Sequence, residues 1–339
     1  MNEKEPIQQK MLDLSVLPNK QISKVSVEIA SDPLGVPISL PIIVAKGGDG
    51  ETLGITSAIH GNELNGILVI QELFRRLDVN KIQGTIVGIP VVNIFGYLNN
   101  QREFIDGNDL NTIMPGSQDG NQSEIFVYRF INRVIKKFQY NIDLHTASFG
   151  RINTHYVRAD LSQERVAWMA SMQQADIVLN SVPSKTTLRG TCTEMNIPSI
   201  TIEIGNPQRF QIEKVENTII SIKNVLKGLN ILPGSPDLPE KPPKVCKRAY
   251  WLRSPVGGVL TVYAELDDYI QKGEIIAIVR NIYGEPIKKF SSPESGIVIG
   301  KNSNPVALSG SRIIHLGLIE DPDKAKEILS VDWIEDQED

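Results

Sequence analysis

ITSAIHGNE, residues Ile55 to Glu63, carries one kind of secondary structure into another within a single short stretch. The β-branched run leading into it reads as a buried strand that gives out at His60. Gly61 lets the backbone turn without a side-chain clash, and Glu63 opens a stretch with apolar residues at helical spacing up to Leu77. A histidine and a carboxylate three residues apart at a strand–helix junction can face one point just beyond the sheet edge. Working outward, β-branched runs at Val25–Ala30, Ile42–Ala45, Leu53–Ala58, Thr85–Pro90, Ile142–His145, Ile177–Asn180 and Ser199–Ile204 predict strands. Amphipathic helical patterns lie at Glu63–Leu77, Gln122–Phe138, Gln163–Ala175 and Glu213–Leu229. Such alternation predicts an α/β fold, a mixed sheet flanked by helices, with sites gathered at the C-terminal ends of strands.

The alternation stops at PGSPDLPEKPPK, residues Pro233–Lys244, where five prolines disfavour regular hydrogen bonding and predict an extended linker. Beyond it, short strand-like runs punctuated by glycine-containing turns predict a small, barrel-like all-β domain. The expected division is therefore an α/β domain over 1–232, a proline-rich linker over 233–244, a small C-terminal all-β domain over 245–320 and an acidic tail over 321–339 with a short helix at its start. SPVGGVL at Ser254 and SPESGIV at Ser292 echo each other as two related hairpin halves.

Of the 339 residues, 41% are apolar and 22% charged, enough to build a buried core and too apolar for global disorder. The net charge is -5 with both signs spread along the chain, and no basic stripe marks nucleic acid as a partner. Two cysteines, Cys192 and Cys246, far apart in sequence, do not make a disulfide framework. The polar start MNEKEPIQQKMLDL lacks a signal-peptide pattern, and no apolar run is long enough to span a bilayer. A cytoplasmic setting is expected, without a membrane partner; a homo-oligomer is compatible with the sequence.

The chemistry-bearing residues converge on a metal. Imidazole nitrogen and carboxylate oxygen are suitable ligands for zinc, so His60 and Glu63 form half of a candidate site. A third ligand must come from another strand end, and His145 in NIDLHT sits at one. Asp143, two residues earlier, is placed to orient a ligand, because metal-bound imidazoles usually donate their second N–H to an acceptor. A single strand-end histidine is more often a hydrogen-bonded structural residue. Here, however, two of only four histidines fall at apolar strand ends. His155 and His315 lack such company and read as structural. Glu203 interrupts the β-branched run PSITIEIGNP, where an ionisable group is costly unless function or pairing compensates. As a general base it would take a proton from the attacking water and return it to the leaving amine. The polar loop REFIDGNDLNTIMPG, Arg102 to Gly116, offers an arginine to steady an oxyanion and Asn111 to hydrogen-bond substrate.

These motifs together resemble the succinylglutamate desuccinylase/aspartoacylase family, whose members share the zinc carboxypeptidase-like fold. HGNE matches its H-G-x-E zinc motif at His60 and Glu63, DLHT its third-ligand motif at His145, and IEIG the segment carrying its general base at Glu203. Arg102 and Asp109–Asn111 fit the loop that holds its substrate-side arginine and asparagine. The resemblance spans most of Val25–Leu232. It implies one zinc ion per chain and hydrolysis of the amide bond of a small N-acylated amino acid or related molecule. One departure concerns specificity. Family members usually read D-L-N-R-x-F-P-G, and Thr112 stands where the arginine commonly grips a substrate carboxylate. Asn111, Thr112 and Arg189 are the candidate substrate-binding residues, and Arg151, Arg158 or Arg189 could supply an alternative anion grip, among which the sequence does not choose.

The competing readings are a zinc carboxypeptidase acting on peptides, which Thr112 disfavours, and a non-catalytic zinc-binding scaffold, which would have no need of Glu203. The C-terminal segment is similar to the small β-domain appended in many family members and, through SPVGGVL and IQKGEIIAIV, to a biotinyl/lipoyl-type barrel. The turn that would present a modifiable lysine instead reads Tyr283-Gly284-Glu285, with Lys288 and Lys289 later. A structural or site-capping role is expected rather than a swinging arm.

Overall fold

The computed structural model describes residues 5–239 and 241–329. The strands Thr52–Ser57, Tyr140–His145 and Ser199–Ile204 are buried along their whole length, because helices cover both faces of the sheet they form. Helices Asn65–Arg75, Glu164–Ser171 and Ile212–Gly228 bury Val69, Leu73, Trp168, Ile219 and Ile222 against one face. Helices Gln122–Arg133 and Leu188–Glu194 bury Phe126, Phe130 and Leu188 against the other. The fold is the expected α/β class.

The large sheet runs, in spatial order, through Ile7–Gln9, Gln21–Ser31, Pro37–Lys46, Thr85–Ile89, Thr52–Ser57, Tyr140–His145, Ser199–Ile204, His155–Ala159, Ile177–Asn180, Lys244–Arg253, Arg312–Ile319, Gly296–Asn302 and Tyr269–Ile270. Arg151–Asn153 pairs alongside Gly296–Asn302. The centre is parallel: Thr52–Ser57, Tyr140–His145 and Ser199–Ile204 point the same way, so their C-terminal ends share one edge. A separate antiparallel sheet of four strands, Pro286–Ser291, Ile275–Arg280, Gly258–Val262 and Val306–Ala307, forms the outer part of the C-terminal region.

Several expected elements are longer, shorter or differently placed. The strands expected at Val25–Ala30 and Ile42–Ala45 lie within a longer antiparallel pair, Gln21–Ser31 with Pro37–Lys46. The helical pattern to Phe138 breaks at Arg133 into a tighter turn at Ile135–Lys137. Residues 233–239 and 241–243 form no helix or strand, while Lys244 already starts a strand that pairs in parallel with Ile177–Asn180. The C-terminal residues thus extend the large sheet as well as building their own. Pro322–Ile328 is helical, capped by the Asp321 carboxylate, and the rest of the acidic tail from 330 lies outside the described residues. Among the described residues no helix is long and apolar enough to cross a membrane.

Candidate active site

The strand that leads to His60 ends at Ser57, three residues earlier than its apolar run suggests. Ala58 takes a left-handed conformation (φ 50°), and the chain turns out of the sheet there. His60 then sits in a turn closed by the Glu63 amide donating to the His60 carbonyl (3.1 Å). Gly61 is required by close approach: a Cβ at this position would lie 2.0 Å from the Gly96 carbonyl carbon. Gly66, in the first turn of the following helix, packs the same way, with Ser57 Oγ 2.3 Å from where its Cβ would be. The two glycines press the turn against the sheet edge, and that fixes where His60 and Glu63 point.

His60, Glu63 and His145 meet there, all buried, with one ligand atom from each within 4.8 Å of the others. Glu63 Oε1 lies 2.9 Å from His60 Nδ1, Glu63 Oε2 lies 2.9 Å from His145 Nδ1, and the two Nδ1 atoms are 3.2 Å apart. The outward nitrogens are held by carboxylates: His145 Nε2 donates to Asp143 (2.7 Å) and His60 Nε2 to Asp109 (3.1 Å). Asp143 is held in turn by the Thr56 hydroxyl (2.7 Å) from the next strand. With protons fixed on both Nε2 atoms, each imidazole turns an Nδ1 lone pair inward. Two lone pairs at 3.2 Å beside a carboxylate repel one another unless a cation lies between them. The donor set, two nitrogens and one oxygen, fits zinc.

Glu203 stands on the adjoining parallel strand, directly opposite His145 in register. Sheet pairing therefore sets it beside the cluster. Its carboxylate accepts from Asn153 Nδ2 (3.3 Å) and the Tyr156 hydroxyl (3.4 Å), and Arg158 Nε lies 3.3 Å away. Burial pushes its pKa up, and the positive charge of Arg158 opposes that rise only in part. Arg102 lies across the cluster, donating to Asp109 (2.7 Å), Glu63 (3.1 Å) and the Ser148 hydroxyl (2.6 Å). Its loop is tied down by Asn93, whose side-chain amide donates to the carbonyls of Arg102 and Glu103.

Residues 49–229 match the model of the succinylglutamate desuccinylase/aspartoacylase catalytic domain. The chain belongs to this family. It is 24% identical over 253 residues to N-alpha-acetyl-L-2,4-diaminobutyric acid deacetylase of Halomonas elongata, covering 71% of this chain and 74% of that one. Two solved structures share the fold. A succinylglutamate desuccinylase/aspartoacylase from Rhodobacter sphaeroides superposes with a TM-score of 0.82 at 21% identity, over 93% of this chain and 99% of that one. The product-bound ectoine utilization protein EutE (DoeB) from Ruegeria pomeroyi gives 0.80 at 20% identity, over 89% and 98%.

In this member of the family the cluster opens into a cavity of roughly 620 Å³, and His60, Glu63, His145, Arg102, Asn111, Arg189 and Glu203 all line it. Asn111 also accepts from the Leu188 amide (2.8 Å), which ties the Arg102 loop to the helix carrying Arg189. Arg189 donates to the Ser181 carbonyl (2.6 Å), and desolvation brings its pKa down to about 10. Thr112 is not among the lining residues: it is exposed, and its hydroxyl donates back to the Asp109 carbonyl (2.8 Å). Both alternative arginines, Arg151 and Arg158, reach the wall. His155, by contrast, meets Thr218 in the interior.

Three contributions went unread in the sequence. Asp109 bridges His60 and Arg102, although the D-L-N triplet that holds it was recognised. Tyr156 and Asn153 flank Glu203 from strands too short and too polar to signal themselves. The C-terminal strands bring Tyr250, Trp251, Arg312 and His315 to the cavity, so His315, read as structural, lines the site.

Proposed function

We propose that this chain is a zinc-dependent amidohydrolase that removes the acyl group from a small N-acylated amino acid or related amide. The observation that carries the reading is the convergence, in one cavity, of the His60–Glu63–His145 cluster and a buried carboxylate on the neighbouring strand. The family, and the N-acetylated substrate named for the Halomonas relative, support deacylation of a non-peptide amide over peptide trimming.

His60, Glu63 and His145 would hold the ion, one per chain, with Asp109 and Asp143 keeping the imidazoles in the ligating tautomer. When bound there, zinc lowers the pKa of water and polarises the substrate carbonyl. Glu203, less acidic than an exposed carboxylate, accepts a proton from the attacking water and returns it to the leaving nitrogen. Arg102, kept in place by Asp109 and Ser148, presents positive charge to the oxygen of the tetrahedral intermediate. Asn111 and Arg189 supply polar contacts on the cavity wall.

The test is a panel of N-acetyl and N-succinyl amino acids, N-acetyl-2,4-diaminobutyrate and dipeptides, scored by amine release with and without a chelator. Chelator-sensitive cleavage of N-acyl amino acids in preference to dipeptides is expected. Preferential cleavage of dipeptides would make the chain a peptidase, and absence of any cleavage by zinc-loaded protein would make it a scaffold.

A further inference from the structure

Asn153 approaches Glu203 from a segment anchored on the C-terminal strands. Arg151–Asn153 pairs in antiparallel with Gly296–Asn302, which sets Asn153 opposite Gly300. Backbone hydrogen bonds extend the pairing at both ends: the Ser303 amide donates to the Gly150 carbonyl (2.9 Å), and the Thr154 amide to the Ile299 carbonyl (3.0 Å). The next residues, His155–Ala159, pair with the strand that carries Glu203. Residues 150–154 are thus stitched to the C-terminal region immediately before the chain rejoins the catalytic strands.

Across these strands Asn153 stands opposite Gly300, Gly300 opposite His315, and His315 opposite Trp251, and the three side chains of that row all line the cavity. Gly300 is the gap in the row. A Cβ there would lie 2.4 Å from Asn153 Oδ1, so the Asn153 amide occupies the space that a side chain at this position would need. Gly300 is not among the glycines with positive φ, so it is the missing side chain, not the backbone conformation, that the site uses. Asn153 itself is 6% exposed, and its Oδ1 is buried with no hydrogen-bond partner among the described residues. A buried acceptor without a donor is destabilising, so packing alone does not account for an asparagine here. Its other amide atom does: Nδ2 donates to Glu203 Oε2 (3.3 Å).

We propose that Asn153 is a positioning residue for Glu203 and that Gly300 holds it there, so that the C-terminal region sets the orientation of the general base as well as walling the cavity. This rests on the reading of Glu203 as the base. Tyr156 and Arg158 hold Oε1 and Asn153 holds Oε2, so the plane of the carboxylate is fixed from both ends. The two grips differ in chemistry. Asn153 is neutral, and it orients its oxygen while favouring the ionised carboxylate less than a second guanidinium would. A carboxylate oxygen has two lone pairs, and the single bond from Asn153 leaves the other to take the proton of the attacking water. Gly300 acts one step further back: any side chain at that position swings the Asn153 amide away from Glu203.

Kinetics of the zinc-loaded enzyme and crystal structures of the variants test this. Asn153→Ala, and Asn153→Asp, which keeps the size and loses the donor, should lower kcat by about 10- to 100-fold with KM and zinc content little changed. Gly300→Ala should act in the same direction. Once Asn153→Ala has removed the clashing amide, adding Gly300→Ala should cause no further loss. Added to Glu203→Gln, Asn153→Ala should change kcat by no more than about threefold, because the group it positions is no longer a base. Unchanged kcat in both Asn153 variants beside an inactive Glu203→Gln overturns the positioning role alone, as does an equal loss from Asn153→Ala with and without Glu203. Near-wild-type turnover of Glu203→Gln itself would overturn the base reading, and the positioning role with it. A loss from Gly300→Ala that persists undiminished in Asn153→Ala would take Gly300 out of the chain of contacts, and the Asn153 variants decide the case if Gly300→Ala fails to fold. The structures give a readout that needs no substrate: the Glu203 carboxylate should turn or split into two conformers in Asn153→Ala, and a single conformer left in place would overturn the proposal.

Discussion

Glu203→Gln isolates the proton-transfer step, and the surroundings of Glu203 say why the change should leave the fold alone. Glu203 is 9% exposed, and among the described residues its carboxylate is met by donors: Tyr156 and Arg158 at Oε1, Asn153 at Oε2. A glutamine can keep its carbonyl oxygen towards Tyr156 and Arg158, which leaves its NH2 facing the NH2 of Asn153. Asn153 Oδ1 has no hydrogen-bond partner, so rotating that amide turns the clash into a hydrogen bond. The structural cost is then small, and the loss falls on basicity. General acid–base catalysis contributes about 10²- to 10⁴-fold, which corresponds to about 3–5 kcal/mol of barrier. The assay is kcat on the best substrate of the panel, alongside zinc content by elemental analysis and the thermal midpoint. The expected result is full zinc, a midpoint near wild type and turnover lower by two to four orders of magnitude. Zinc-loaded Glu203→Gln turning over within a factor of about ten of wild type would refute the reasoning, and the base would have to be sought elsewhere.

Two further outcomes follow from the neighbours of the cluster. Asp143→Ala removes the acceptor that fixes the His145 ring, so zinc affinity measured by competition with a chromogenic chelator should weaken by about 10- to 100-fold; an unchanged affinity would show that the Asp143–His145 contact does not support the ligand. Arg158→Met removes the charge that holds the raised pKa of Glu203 in check, so that pKa should rise further. A base acts only when ionised, so the acid limb of the kcat/KM profile should move to higher pH, and a limb that stays put would separate Arg158 from the base.

The residues that announced themselves did so through local contrast. His60 and His145 are polar groups at the ends of apolar runs, Glu63 follows His60 by three residues, and Glu203 is a carboxylate inside a β-branched run; burial of such groups is expensive enough that each stands out in a single sequence. What could not be read depends on register or on the path of a loop. Asp109 reaches His60 only because the loop after Arg102 folds back, and nothing nearby in sequence marks that contact. Trp251 meets His315 only through strand pairing, and the two lie far outside the window of about 11–18 residues in which a local period is read. The continuation of the large sheet from Ile177–Asn180 into Lys244–Arg253 is of the same kind: proline content marked where regular structure stops, but not which edge the next strand would join. The helix at Leu188–Glu194 is too short to display amphipathic periodicity, and so the element that carries Arg189 was missing from the pattern.

The central claim is a metal centre held by His60, Glu63 and His145. Its most direct test is elemental analysis of purified wild type and His60→Ala, with circular dichroism to confirm that the α/β fold persists. One zinc per chain is expected in wild type, with loss of stoichiometric zinc in a still-folded His60→Ala. Full zinc retained by folded His60→Ala would contradict it.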